Sequence, residues 1–504
     1  MIDDNEIQHL PDRIYDNFIQ ATFFVTGGTG YMGKAIIERL LRVFDVKKVY
    51  VLIRFKKDKS PEVRLHEIFA NPLFKKVRDL RGDQILEKCV VIAGDITKAK
   101  LGISEEDYET LKKEVEYVIH SAATVRFDEP YKSAVLINTK GTFSMLQLAK
   151  EMQKLKCFVH VSTTFCHPEE EVLEEKVYRS KHQPERYIEI ADWFDDKTIA
   201  GMTKTLLEDV PNSYTFSKAL TEDVVADAMD TIPAIIVRPS IVVPIWKEPL
   251  PGWFDNLNGP VGAMVAAGKG VLRTMYGQKE IIADFISVDG AADITLIFCA
   301  YSMINRFSTR VYNICTGKEV GMSWKDMYET GESVALGEVP FDIVLWRPGG
   351  KMTNCKFMHY FKLVLTQLIP ALLVDAIVPL FGYKRFLWRI QMRIITVMNV
   401  LNCYTTREWI FRNDNLQNVR KWLNPKELSR YTVDYSNADT FEYMTNAIYC
   451  VRRHLLKEPD ENLPMARRRM KIMVYLDKIS VILLKILLAY IFYKWILLPI
   501  LNYL

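Results

Sequence analysis

Thr22-Phe-Phe-Val-Thr26 runs without a break into Gly27-Gly-Thr-Gly30-Tyr-Met-Gly33, and the fold turns on how this stretch is read. The first five residues are β-branched or aromatic and read as a buried strand, while Lys34 to Phe44 carries apolar residues at helical spacing. Gly27 suits a tight turn, Gly30 lets a backbone approach a pyrophosphate, and Gly33 permits close packing of helix on strand. The helix start adds amide donors and the positive end of its dipole for phosphates. Thr26, Gly27, Thr29, Gly30, Tyr31 and Gly33 are therefore candidate contacts of a dinucleotide.

Further runs of the same kind follow at 49–53, 90–93, 117–120, 158–162 and 234–237, separated by longer helical patterns. This alternation predicts an α/β fold, a doubly wound parallel sheet with helices on both faces. It weakens after about residue 320, and Trp346-Arg-Pro-Gly-Gly350 breaks the chain before a mostly helical region. The expected organisation is a nucleotide-binding domain over 15–345, a smaller helical C-terminal domain over 355–475 and a membrane helix over 479–501.

The composition is that of globular protein, 504 residues with 49% hydrophobic and 25% charged, which excludes wholesale disorder and a collagen-like chain. With 66 basic against 62 acidic side chains the net charge is +4, which gives no whole-protein case for nucleic-acid binding. The eight cysteines form no CxxC pair, and His160 and His167 flank a buried strand. That pattern favours reduced thiols facing the cytosol, with no zinc site expected.

Mean hydropathy is −0.01, and the apolar surplus collects near the end. Ile479 to Leu501 is long enough to cross a bilayer, interrupted by Lys485 and Lys494, which stand roughly 180° apart around a helix. Arg467-Arg-Arg-Met-Lys471 just before it places the preceding chain in the cytosol, leaving Asn502 to Leu504 beyond the bilayer. The acidic start, Met1-Ile-Asp-Asp-Asn-Glu6, does not read as a secretory signal. A second apolar stretch, Phe361 to Phe381, contains Lys362, Pro370, Asp375 and Pro379 and reads as a helical hairpin, in protein or on a membrane surface, more readily than as a span.

The second strand ends in Arg54, with Lys56 and Lys57 close behind, where an NAD enzyme would place an acid. Cations there predict NADPH, with the guanidinium on the 2′-phosphate. Asp95, with Ile96 beside it, ends the third strand where an acid meets the adenine or caps a helix. In Pro211-Asn-Ser-Tyr214-Thr-Phe-Ser-Lys218, Tyr214 and Lys218 share one helical face, and the ammonium favours ionisation of a phenol that is otherwise a poor acid at neutral pH. At the end of the fifth strand, Ser162 and Thr163 offer a hydroxyl to a substrate carbonyl oxygen, Thr163 being preferred. His120 reads as a structural histidine, and Asn138 as a holder of backbone or water near the lysine.

These residues resemble the extended short-chain dehydrogenase/reductases, with their Rossmann-type core, and within them the insect-type fatty acyl-CoA reductases. The resemblance runs over nearly the whole chain. It is carried by Thr26 to Gly33, His120-Ser-Ala-Ala-Thr-Val-Arg-Phe-Asp128, the Tyr214/Lys218 pair, Val237-Arg-Pro-Ser-Ile241, Pro249 to Pro260, Phe411 to Asn415 and Arg452 to Lys457. The C-terminal motifs look like that family's helical sterile domain. Ser287 stands where the family usually has proline, and Asp439-Thr440 where it usually has Asp-Trp. The resemblance implies reduction of a long-chain acyl-CoA to a primary alcohol with two NADPH, Tyr214 donating the proton and Lys218 lowering its pKa and holding the nicotinamide ribose. It also implies a membrane-anchored enzyme facing the cytosol at the endoplasmic reticulum or peroxisome, with membrane lipid as a partner. A sterol or sugar-nucleotide dehydrogenase would share the glycine loop and the Tyr/Lys pair but would not need the helical domain. A noncatalytic lipid-binding protein would be expected to have lost Tyr214 or Lys218.

Overall fold

The computed structural model describes residues 4–56, 58–317 and 319–498. Lys57 and the end of the tail, including Asn502 to Leu504, lie outside the described residues. Seven strands form one sheet: β1 (Thr22–Thr26), β2 (Lys48–Ile53), β3 (Cys89–Ala93), β4 (Tyr117–His120), β5 (Cys157–Val161), β6 (Ala234–Pro239) and β7 (Val311–Ile314). Every pairing is parallel, in the order β7-β6-β5-β4-β1-β2-β3. Six of these are the runs read from the sequence, and β7 adds an edge strand beside β6, Val311 opposite Ile236. Winding reverses between β1 and β4, so the carboxyl ends of those two strands open a crevice. Thr26 lies opposite His120 there, which sets the glycine loop level with the end of β4.

Burial explains why these runs become central strands. Phe24, Val118, Phe158 and Ile236 belong to one apolar cluster and are fully buried. Three helices matter for the site: α1 (Tyr31–Val43), α2 (Ser213–Ala228) and α3 (Val288–Ile304). Arg39 of α1 reaches Asp293 of α3 through a paired hydrogen bond, Nε to Oδ1 at 2.5 Å and Nη2 to Oδ2 at 2.9 Å.

The chain divides into two compact units that do not follow the consecutive blocks 15–345 and 355–475. The first comprises 1–254, 282–322 and 407–438, and the second 255–281, 323–406 and 439–504. The return of 407–438 to the first unit is specific. Ile410–Phe411 pairs with Val172–Leu173, Arg13 forks onto Glu427, Arg430 and Tyr431 bind Asp12, and Thr432 donates its amide to Asp293. Ser287, one departure from the family pattern, begins α3 as its cap and hydrogen-bonds the Tyr435 hydroxyl at 2.9 Å. Asp439, the other, caps the helix Thr440–Cys450 by accepting from the amides of Phe441 and Glu442.

The second unit is mostly helical. Its helical hairpin has a first arm over Lys356–Phe381, a turn over 382–386 and a second arm, α4 (Leu387–Thr406). Its last long helix, α5 (Leu463–Phe492), buries Leu463, Ala466 and Met470 and is held at Asp477, which accepts from the Trp346 indole at 2.5 Å. From Val481 to Trp495 every side chain is exposed. Among the described residues, one helix is long and apolar enough to cross a membrane by length and composition. It is Lys356–Phe381, with mean hydropathy 2.1 over its most apolar 18 residues, whereas the tail expected to be the anchor runs past the described residues.

Candidate active site

The turn after β1 is built as its glycines require. Gly27 has φ +73°, and a Cβ there would lie 2.6–2.7 Å from the backbone of Ser121 and Ala122. A Cβ on Gly33 would overlap the Gly27 backbone, so α1 approaches the loop only because Gly33 has none. A Cβ on Gly30 would meet only the Gly27 carbonyl oxygen, at 3.1 Å, and Gly30 caps α1 from an exposed position. Thr29 beside it is half-buried. A cradle of this shape fits a dinucleotide pyrophosphate.

Two of the proposed loop contacts are committed elsewhere through their side chains. Tyr31 donates its hydroxyl to the carbonyls of Val243 and Trp253 at 3.0 and 3.2 Å and stacks on the Trp253 ring. Thr26 Oγ1 hydrogen-bonds His120 Nδ1 at 2.8 Å.

That bond starts a relay from the loop to α2. His120 Nε2 meets Thr142 Oγ1 at 2.9 Å, and Thr142 donates to the Asn138 carbonyl at 2.6 Å, so Nε2 carries the proton and donates. Asn138 Nδ2 donates to Ser217 Oγ at 2.9 Å, and Ser217 donates to the Tyr214 carbonyl at 2.9 Å. Asn138 Oδ1 accepts from the Thr124 amide. Burial, then the charge of Lys218, pushes the His120 pKa down to about 3, so it is a neutral structural group rather than a base.

Tyr214 is buried, with its ring edge-on to Phe127 at 5.5 Å. Lys218 is 3% exposed and donates to the Val161 carbonyl at 2.7 Å, which fixes it to the end of β5. Burial lowers its pKa to about 8, and the carboxylate of Glu222 works against the fall. Ser162 and Thr163 follow Val161 directly. Thr163 Oγ1 accepts from the Phe165 amide at 3.2 Å, which leaves its own proton to donate, and Ser162 Oγ is buried without a hydrogen-bond partner among the described residues. Lys218 is thus fixed at the carboxyl end of β5, beside Ser162 and Thr163 in the chain, and Tyr214 precedes it by one turn of α2.

Arg54 is exposed at the end of β2, where its carbonyl accepts from the Arg64 guanidinium at 2.5 Å. Burial and the neighbouring Arg54 charge both lower the Arg64 pKa. Asp95 turns its carboxylate onto its own loop, accepting from the amide and hydroxyl of Thr97 at 3.0 and 2.8 Å, and Ile96 packs where a Cβ on Gly141 would stand. No described contact ties Arg54, Asp95 or Ile96 to the Tyr214 cluster.

Sequence reasoning missed Arg64, ten residues beyond Arg54 on a helix, and the buried group behind Lys218. In that group Glu222 forks onto Arg238 at 2.8 and 2.5 Å, and Cys166 donates to Glu222. Burial opposes charge on His167, but the hydrogen bond to Glu169 and the Glu222 carboxylate 3.8 Å away outweigh it and raise its pKa to about 9. The ligand atoms of Cys166, His167 and Glu222 lie within 4.8 Å of one another, yet the Arg238 guanidinium already holds the cation position beside the carboxylate. The available signal was spacing, since Glu222 continues the Tyr214, Lys218 row by four.

Comparison with known proteins gives the family. A family described as male sterility protein, of the NAD-binding type, matches residues 25–295, and one of the same description, of the Sterile type, matches 366–458. Fatty acyl-CoA reductase 1 of Xenopus laevis is 36% identical over 448 residues, 88% of this chain and 87% of the relative. The chain belongs to the fatty acyl-CoA reductase family. Fatty acyl-CoA reductase wat of Drosophila melanogaster is 34% identical over 447 residues, 88% of this chain and 86% of its own. Among solved structures, the terminal R domain of the myxalamid PKS-NRPS pathway superposes with TM-score 0.59 at 18% identity, covering 90% of this chain and 98% of that one, which is a likeness of fold. As a member of this family the chain is a nicotinamide-dependent oxidoreductase with a fatty acyl-CoA reductase's two matched regions.

Proposed function

We propose that this chain reduces long-chain fatty acyl-CoA to the primary alcohol through a bound aldehyde, releasing CoA and using NADPH twice. The observation that carries the reading is the bond of Lys218 to the Val161 carbonyl, directly before Ser162 and Thr163 and one helical turn from Tyr214, in a chain of this family. The glycine loop would hold the pyrophosphate, and Arg54 with Arg64 would hold a 2′-phosphate, which favours NADPH over NADH. When bound, the dinucleotide supplies the hydride in each reduction.

The chain's own groups manage the oxygen and the protons. Thr163, with Ser162 beside it, donates a hydrogen bond to the substrate carbonyl oxygen and stabilises the negative charge that develops there. Tyr214 donates to the same oxygen and, in the second reduction, gives up its proton to make the alcohol. Lys218 lowers the Tyr214 pKa by its charge and also meets the nicotinamide ribose. The thioester sulfur leaves as thiolate, so no cysteine nucleophile is called for. All eight cysteines are free thiols and six of them are buried.

The tail supplies the location. A helix whose apolar side chains are exposed on every side from Val481 to Trp495 suits lipid, and Arg467, Arg468, Arg469 and Lys471 before it favour a cytosol-facing enzyme on the endoplasmic reticulum or peroxisome. Functionally the chain then reads as a reductase over 15–345, a sterile-type region over 355–475 and an anchor over 479–501. The deciding experiment is oxidation of NADPH with palmitoyl-CoA followed by product identification. Hexadecanol is expected; release of aldehyde would end the four-electron reading, and no reaction with acyl-CoA would remove the substrate class.

A further inference from the structure

We infer that the hairpin of Lys356–Phe381 and α4 is a second membrane contact, lying in the plane of an anionic leaflet without crossing it. The inference is independent of the reaction assigned above.

One face of the hairpin is fixed to protein. His359, Leu363, Gln367, Ala371 and Asp375 recur every fourth residue and are buried. Along that row His359 Nδ1 meets Thr274 Oγ1 at 3.2 Å, and the Gln367 side chain accepts from the Arg273 amide. From the second arm Gln391 donates to the Val271 carbonyl at 2.9 Å. Asp375 closes the turn, accepting the amides of Phe386, Leu387 and Trp388 at 2.9–3.0 Å. The first arm is thus bonded to 273–274 at His359 and Gln367 and the second to Val271 at Gln391, and a span would drag these bonded polar groups into hydrocarbon.

The other face has no such cover. Phe361, Leu365, Leu372 and Leu373 are exposed along the first arm, and Leu380 and Phe381 near the turn are 83% and 72% exposed. Charge identifies the occupant. Between 356 and 406 the basic residues are Lys356, Lys362, Lys384, Arg385, Arg389 and Arg393, all exposed, and the single acid is Asp375, buried and bonded to three amides. An apolar face rimmed by cations fits anionic phospholipid. A second copy on the same face would set two such cationic rims together, which like-charge repulsion opposes.

The test uses the full chain in vesicles of three parts phosphatidylcholine to one part phosphatidylserine. In a Cys355→Ser/Cys403→Ser background, Leu365→Cys and Leu372→Cys are labelled in turn with an environment-sensitive fluorophore. Expected are a blue shift, protection from aqueous iodide, and quenching by nitroxide lipids that is severalfold stronger from the headgroup end of the acyl chain than from its terminus. Strongest quenching from the chain terminus would mean a span, and iodide quenching without lipid quenching would mean a face in water; either overturns the inference. Protection from iodide with no lipid quenching would mean a protein cover and overturns it too. Adding Lys384→Glu, Arg385→Glu and Arg389→Glu should reduce the lipid quenching severalfold with phosphatidylserine and leave it unchanged in phosphatidylcholine alone. Equal effects in both would remove the anionic surface from the inference.

Discussion

Replacing Lys218 by methionine should destroy turnover and stabilise the fold. The ammonium is buried on α2, and burial takes its pKa from 10.5 down to about 8. At about 1.4 kcal/mol per pH unit that difference places about 3 kcal/mol of strain on the folded state at pH 7. Methionine keeps an unbranched side chain of similar length and removes the charge. It also forfeits the bond to the Val161 carbonyl, about 1–2 kcal/mol. The expected net gain is about 1–2 kcal/mol, a rise in Tm of roughly 2–4 °C per kcal/mol for the unit that contains it. The pH dependence has a definite sign. Because the folded pKa lies below the unfolded one, the folded state holds fewer protons between pH 8 and 10.5, so the native lysine's penalty is full below pH 8 and fades as pH rises through that window. Thermal unfolding in detergent micelles at pH 7 and at pH 10, without cofactor, reads both effects. A methionine variant less stable at pH 7, or a Tm gap that stays constant to pH 10, would refute the reasoning.

Three other outcomes follow from the same site. Tyr214→Phe keeps the ring against Phe127 and should lower alcohol formation by about 10²–10⁴ while leaving the cofactor dissociation constant within about threefold; near-normal turnover would remove Tyr214 from its role. Arg54→Ala with Arg64→Ala should raise KM for NADPH by about 10–100-fold and leave that for NADH unchanged, since each guanidinium lost is one charge-assisted contact; equal changes for the two cofactors would move the phosphate site elsewhere. Thr163→Val should lower kcat by about 10²–10³ and Ser162→Ala by less than about tenfold. The reverse order, measured at saturating substrate, would assign the oxygen contact to Ser162.

The sheet was legible in the sequence because its strands are buried on both sides, which forces continuous β-branched and aromatic runs that no surface element needs. β7 was not, being four residues, Val311 to Ile314, with an asparagine inside. Tyr214, Lys218 and the β5 hydroxyls were legible as candidates because the chemistry proposed for them demands fixed residue types, and the Tyr/Lys pair a fixed spacing. The relay through His120, Thr142, Asn138 and Ser217 was not, since its decisive bonds, His120 to Thr142 and Asn138 to Ser217, join residues distant in sequence and ordinary in type. Likewise Arg64 declares nothing until α-helical folding brings it onto the Arg54 carbonyl. The hairpin was legible as an apolar stretch with two prolines and an acid, but only the three amides on Asp375 show why an acid sits there.

The looping of the chain between its two units has a consequence for synthesis. Residues 407–438 supply Glu427 to Arg13, Arg430 to Asp12 and Phe411 to the strand at Leu173, so the nucleotide-binding unit lacks these partners until residue 438 has left the ribosome. By then the apolar hairpin has already emerged. A nascent chain of this kind exposes Asp12, Arg13 and Asp293 to water and its hairpin to whatever surface is near, so it should depend on chaperone or membrane capture late in translation. A fragment ending at 345 would retain the glycine loop, Tyr214 and Lys218, yet meet the same missing partners permanently.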